Sequence, residues 1–205
     1  DKIRSAGANV IDVTFIPDYS KVSADRLSVL LYEFKADLNK YLAARGAKYK
    51  TLEDLIKFND ENKEKELKLF GQELFAQAQA KADLNDKGYL DALANVKRTS
   101  GAEGMDAVMA KDNLDALVSP TTGATWAIAA TAGYPYITVP LGLREIPAST
   151  NAAGTPVPPS IAATGMAFWG RPWSEPALIK YAYAFEQITK GRVTPQFLPK
   201  YEKKA

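Results

Sequence analysis

Hydrophobic positions in this chain follow a helical period in its first half and shorter, strand-like runs in its second. Leu27, Leu30, Leu31, Phe34, Leu38, Tyr41 and Leu42 recur at three- and four-residue spacing. That predicts a helix over 24–45, with Ser23 as its N-cap and Gly46 closing it. Thr51 is placed to cap a short helix, Leu52 to Phe58. From Glu61 to about Lys81 the pattern predicts a longer, charged helix with Leu67, Leu69, Phe70, Leu74 and Phe75 on its buried side. Two more helices are expected, over 86–98 and from Met105 to Ala110, with Gly101 and Gly104 between them.

The flanking segments read differently. Residues 1–7 look like the tail of a helix stopped by a left-handed Gly7. Asn9 to Pro17 follows as an apolar strand ended by proline. Further strands are expected at Leu114–Pro120, Tyr136–Pro140 and Ile161–Trp169, with Trp126 to Pro140 as buried core. Residues 143–160 hold Pro147, Pro156, Pro158 and Pro159 and read as a surface loop. Ser174 is expected to cap a final helix carrying Leu178, Tyr181, Ala182, Phe185 and Ile188, with Gly191 at its end. The fold class is α/β: a mixed sheet flanked by helices, with a helical block over 24–111 and a strand-loop-strand-helix part over 112–195.

Composition narrows the chemistry. Among 205 residues there is neither Cys nor His, so no disulfide, no zinc site with thiolate or imidazole ligands, and no His-based nucleophilic pair can form. Neither a metal nor a cofactor is expected. With 26 Lys+Arg against 24 Asp+Glu, the chain lacks the basic excess of a nucleic-acid binder. No apolar run approaches the roughly 20 residues that span a bilayer, so no membrane is expected as a partner. The charged run Asn59–Glu66 reads as a solvated helix face. Ser119 before Pro120 reads as a strand-ending turn, Glu175 as a helix-dipole residue, and Glu186, Lys180 and Lys190 as surface.

Three segments carry a resemblance. Leu114-Asp-Ala-Leu-Val-Ser-Pro120, Ala132-Gly-Tyr-Pro-Tyr-Ile-Thr-Val-Pro140 and Phe168-Trp-Gly-Arg-Pro-Trp-Ser-Glu175, the last running into Tyr181–Gln187, are similar in order and spacing to the C-terminal part of amidase-signature enzymes. Thr51–Asn59 and the opening Gly7-Ala fit as well. The resemblance implies hydrolysis of amide C–N bonds by a Ser nucleophile, a second Ser in a cis peptide and a Lys. A buried neutral Lys can act as base through a bridging hydroxyl, so that chemistry needs no His.

The family's catalytic residues sit in a Gly/Ser-rich run of its N-terminal half, and this sequence contains no such run. None of its serines maps onto the nucleophile and no Lys onto the base, so no catalytic residue is assigned. A Gly/Ser loop usual after the position of Ile128 is also missing, and the 143–160 stretch exceeds the family's shorter turn. The substrate-binding candidates are Thr121, Thr122 and Trp126, the indole being suited to an apolar pocket wall. The expected partners are the N-terminal half of the same amidase and a small amide or peptide-amide substrate, with a homodimer as a further option. A catalytically inactive scaffold or interaction protein, or an amidotransferase subunit, is the alternative. No compartment follows from the sequence, the cytoplasm being favoured.

Overall fold

The computed structural model describes residues 1–13, 19–46, 48–121, 125–151 and 154–194. The chain divides into two compact units, residues 17–104 and residues 1–16 with 105–205.

The first unit is helical. α2 (Tyr19–Ala44) is its long helix, and α1 (Lys2–Ser5) belongs to the other unit. α2 begins before Ser23, which therefore lies inside it, and Gly46 follows its end at φ +64° as expected. α3 (Leu52–Glu61) opens on a full capping box. Thr51 accepts from the Asp54 N–H, and the Asp54 carboxylate accepts from the Thr51 N–H. The Lys50 N–H, which donates to the same carboxylate, and then the bonds from Thr51 hold the Asp54 carboxyl below its usual range. Leu31, Leu52 and Ala78 form a small buried core, edged by Phe34, Leu38, Ile56 and Phe75.

The long helix expected over 61–81 does not form. It is broken into α4 (Lys63–Glu66) and α5 (Glu73–Gln79), with Leu69 and Phe70 more than four-fifths exposed in the turn between. The cause is Gln72, whose amide donates to Ile56 O and Asp60 Oδ1 and accepts from Asn59 Nδ2. Those bonds fold the segment back onto α3, a tertiary constraint that the local pattern cannot register. α6 (Lys87–Lys97) starts at Asp86, which accepts from the Gly88 N–H and from the Tyr32 hydroxyl. A π-helical stretch, Arg98–Asp106, follows where simple α-helix and glycine turns were expected, and the chain passes through it into α7 (Ala107–Lys111), which belongs to the other unit.

The second unit holds the sheet. β1 (Leu117–Pro120), β2 (Tyr136–Ile146) and β5 (Ser160–Trp169) pair antiparallel in the order β1-β5-β2. Val118, Phe168 and Ile137 stand side by side on one face, and Leu117, Trp169 and Tyr136 on the other. On the first face α9 (Glu175–Thr189) packs Leu178, Ala182 and Phe185 against Val139 and Phe168, with Ile3 of α1 (Lys2–Ser5) at the margin. Phe168 and Phe185 meet edge to face at 5.6 Å. α8 (Thr125–Ala132) links β1 to β2 and buries Ala127, Ile128 and Ala129. Among the described residues no helix is long and apolar enough to cross a membrane.

Four expectations are corrected here. The strand expected over 9–17 does not form at 9–13, where Arg4 donates to Val10 O and pairs with Asp12. Residues 14–17 of that expectation lie outside the described residues. Half of the 143–160 loop is strand. β2 and β5 pair as far as Ile146 and Ser160, past a bulge between Pro140 and Gly142, and the tip carries a small hairpin of β3 (Ser149–Thr150) and β4 (Pro156–Val157). Its prolines sit at strand ends or in the short tip pair, where a missing N–H costs least. Ser174 does not cap α9 by its side chain; its hydroxyl donates to Arg171 O instead. The left-handed residue closing α9 is Lys190, at φ +49°, not Gly191.

Candidate functional site

The two describable substrate-binding candidates bracket the connection from β1 to α8. Pro120 ends β1, and Thr121 continues its line for one more residue. The Thr121 N–H donates to Gly165 O at 2.9 Å, and the Thr121 hydroxyl accepts from the Gly165 N–H at 3.1 Å. A side chain thus stands in for the next backbone acceptor and stops the ladder. The latch needs glycine, because a Cβ on residue 165 would lie 2.9 Å from Thr121 Cγ2. Thr122 lies outside the described residues. Trp126 sits in the first turn of α8 and is about half exposed, not buried as the apolar run around it suggested. Hydrophobic neighbours on a two-turn helix cannot all face inward, and Ala127, Ile128 and Ala129 take the buried side.

The far end of α8 is fixed by a pair the sequence did not single out. Gly133, at φ +77°, ends the helix, and the Tyr134 hydroxyl donates to Asp106 Oδ2 at 2.7 Å. Burial, with the Asp106 carboxylate as acceptor, pushes the phenol up to about 12, so it stays protonated and keeps donating. Tyr134 lies within the Ala132–Pro140 motif, but its acceptor is 28 residues upstream and no local pattern links the two.

The described serines do not assemble a nucleophilic site. Ser119 lies within β1, Ser100 is fully buried in the π-helical stretch, and Ser174 is engaged by Arg171 O. Lys81 Nζ reaches Ser28 Oγ at a long 3.4 Å, and the same ammonium lies over the Tyr32 ring at 5.0 Å, a packing arrangement within the helical unit. Among the described residues no group of three His, Cys, Asp or Glu could hold a metal ion. A cavity of about 410 Å³ opens on the β2–β5 arm, lined by Glu145, Ile146, Pro147, Pro159, Ser160 and Ile161.

This arrangement has counterparts among known proteins. The chain superposes on the peptide amidase of Stenotrophomonas maltophilia with a TM-score of 0.82 and 40% identity over 96% of its length. It is also 34% identical over 203 residues, 96% of the chain, to a probable amidase of Arabidopsis thaliana. The chain belongs to an amidase-signature-like family. A putative amidase of Schizosaccharomyces pombe is 28% identical over 198 residues, and an amidase family protein from Bacillus anthracis str. Ames superposes with a TM-score of 0.75 at 25% identity. No protein-family profile matches the sequence. The chain spans about a third of the length of the curated relatives it matches, 36% and 32%, and 39% of the peptide amidase chain. Its α/β fold, with helices about an antiparallel sheet, is the amidase-signature-like one.

Proposed function

We propose that this chain is the C-terminal part of an amidase that hydrolyses carboxamide C–N bonds, with the Ser/cis-Ser/Lys group supplied by the remaining, N-terminal half. The observation that carries this reading is the superposition on a peptide amidase over 96% of this chain, against 39% of that one. Composition supports it: a sequence without His suits a lysine-based mechanism, and its serines lie in no Gly/Ser-rich run.

In this reading the chain's own contribution is binding and orientation. Thr121, Thr122 and Trp126 form part of the substrate wall. The Thr121–Gly165 latch fixes one end of that wall, and the Tyr134–Asp106 bond fixes the helix that carries Trp126. Holding the amide against a rigid wall supplies the orientation on which the reaction depends. The peptide amidase likeness favours a peptide bearing a terminal amide over a small free amide.

The test is release of ammonia from an acylated amino-acid amide. The 205-residue chain alone is expected to turn over nothing, and the chain joined to its N-terminal half is expected to turn it over. Turnover by the chain alone would overturn the proposal. Inactivity of the joined protein would favour the catalytically inactive scaffold instead.

A further inference from the structure

α8 is short and poor in side chains that could lock it in place. Four of its eight residues are alanine, and its buried face is Ala127, Ile128 and Ala129. Packed helices keep their axial position chiefly by ridges of side chains set into grooves, and alanines make shallow ridges. The polar bonds at the end of α8 therefore carry more of its placement. Gly133 and Tyr134 close it, their N–H groups donating to Ala130 O at 3.2 Å and to Ala129 O at 2.9 Å. From this turn the Tyr134 hydroxyl reaches across to Asp106.

Asp106 does not serve its own helix. It stands at the start of α7, the place of an N-cap, yet its side chain makes no capping bond there. Its bond with Tyr134 instead joins the head of α7 to the foot of α8. The tail of α7 is tied in turn. The Leu114 N–H donates to Met109 O at 2.8 Å, and Leu114 O accepts from Arg171 Nη1 at 2.9 Å, just past the end of β5. Between these ties Val108 and Met109 are buried. The C-terminal end of α8 is thus anchored, through α7, to the turn that follows β5, and all of these residues belong to one compact unit. Trp126 stands at the opposite end of α8, about half exposed.

We infer that Tyr134 and Asp106 are positioning residues for substrate binding: their bond sets where α8 places the Trp126 indole. Eight residues at about 1.5 Å each make a helix about 12 Å long, so a tilt of about 5° about the Tyr134 end moves the Trp126 end by about 1 Å. A displacement of that size is enough to spoil the fit of a bound substrate. Neither side chain touches a reacting group; both act through Trp126. This rests on the amidase reading above, with Trp126 in the substrate wall, and adds to it two residues that tune affinity from the far end of the helix.

The test is a pair of double-mutant cycles on the complete amidase, read as KM and kcat for an acylated amino-acid amide. Tyr134→Phe removes only the hydroxyl and should raise KM about fivefold with kcat little changed. Asp106→Ala should do the same, and the two together should do no more than either alone. In a Trp126→Ala background, Tyr134→Phe should leave KM where Trp126→Ala put it, an outcome that a general loss of stability does not give. A fall in kcat at constant KM, or the same rise in KM with or without Trp126, would overturn the inference and leave the amidase reading standing. Should Tyr134→Phe fail to fold, Asp106→Asn, which keeps a weaker acceptor in place, should raise KM about twofold when Trp126 is present and not otherwise. No dependence on Trp126 would again overturn the inference. If the wild-type amidase hydrolyses no amide, the amidase reading fails. The same cycle on the calorimetric Kd of that amide then decides, absence of coupling between positions 134 and 126 overturning the inference.

Discussion

The Thr121 hydroxyl accepts a hydrogen bond from the backbone N–H of Gly165 at 3.1 Å, while the Thr121 N–H donates to the Gly165 carbonyl at 2.9 Å. A reciprocal pair of this kind closes a strand ladder with a side chain. It also fixes the start of the segment that leads to Trp126. The place where β1 stops is therefore set by one threonine and by one glycine that leaves room for it.

Thr121→Val keeps the shape of the side chain and removes the acceptor. Leaving the Gly165 N–H unsatisfied should cost about 1–3 kcal/mol in chemical denaturation. Thr121→Ser should recover most of that loss. A valine variant as stable as the wild type would mean that water or another group satisfies Gly165.

Gly191 follows α9 and lies against the bulge of β2. A Cβ on it would stand 2.6 Å from Leu141 O and 2.9 Å from Pro140 O, both backbone atoms that cannot rotate away. Gly191→Ala should therefore destabilise the packing of the segment after α9 on β2 by about 1–3 kcal/mol. Denaturation of the variant measures this, and no loss would show that the loop shifts freely.

Leu69 and Phe70 stand exposed, whereas Leu52 is fully buried. Serine at both exposed positions should leave the stability of the isolated chain within about 0.5 kcal/mol and reduce its self-association. Leu52→Ala should cost about 2–5 kcal/mol. Urea titration and sedimentation check both.

Tyr134 is raised from 10.0 to about 12 by burial and by Asp106. Above pH 10 the unfolded chain releases a phenolic proton that the folded chain keeps. The stability linked to this group is thus whole below pH 10 and is lost as pH climbs toward 12. Tyr134→Phe should flatten the fall in melting temperature across that range. An unchanged slope would assign the alkaline loss to other groups.

Much of the fold was legible because its signals are local. Thr51 as a cap, the Leu27–Leu42 stripe of α2, the Tyr136 and Ile161 strands and the left-handed Gly7 each need only a few neighbouring residues. What escaped the sequence depends on distant partners. Gln72 breaks a good helical pattern by binding α3, and the start of the 143–160 segment, through Ile146, becomes strand because β2 and β5 have each other to pair with. Conversely, Val10 and Ile11 have strand character, but among the described residues no strand pairs with them, and they are irregular. Of the candidate site, the partners of Thr121 and Tyr134 escaped the sequence, Gly165 and Asp106 being 44 and 28 residues away from them.

Among the described residues no strand lies along β5 at 161–163, and Leu69, Phe70 and Trp173 stand exposed; the remaining half of an amidase would cover such surface. Thermal melting and sedimentation of the 205-residue chain, with and without that half added in trans, test this most directly. The chain alone should self-associate and melt early, and the added half should give one defined complex with a higher melting temperature. A monomer with a sharp, concentration-independent melt that the added half leaves unchanged would show a self-sufficient domain and contradict the proposal that it is one part of an amidase.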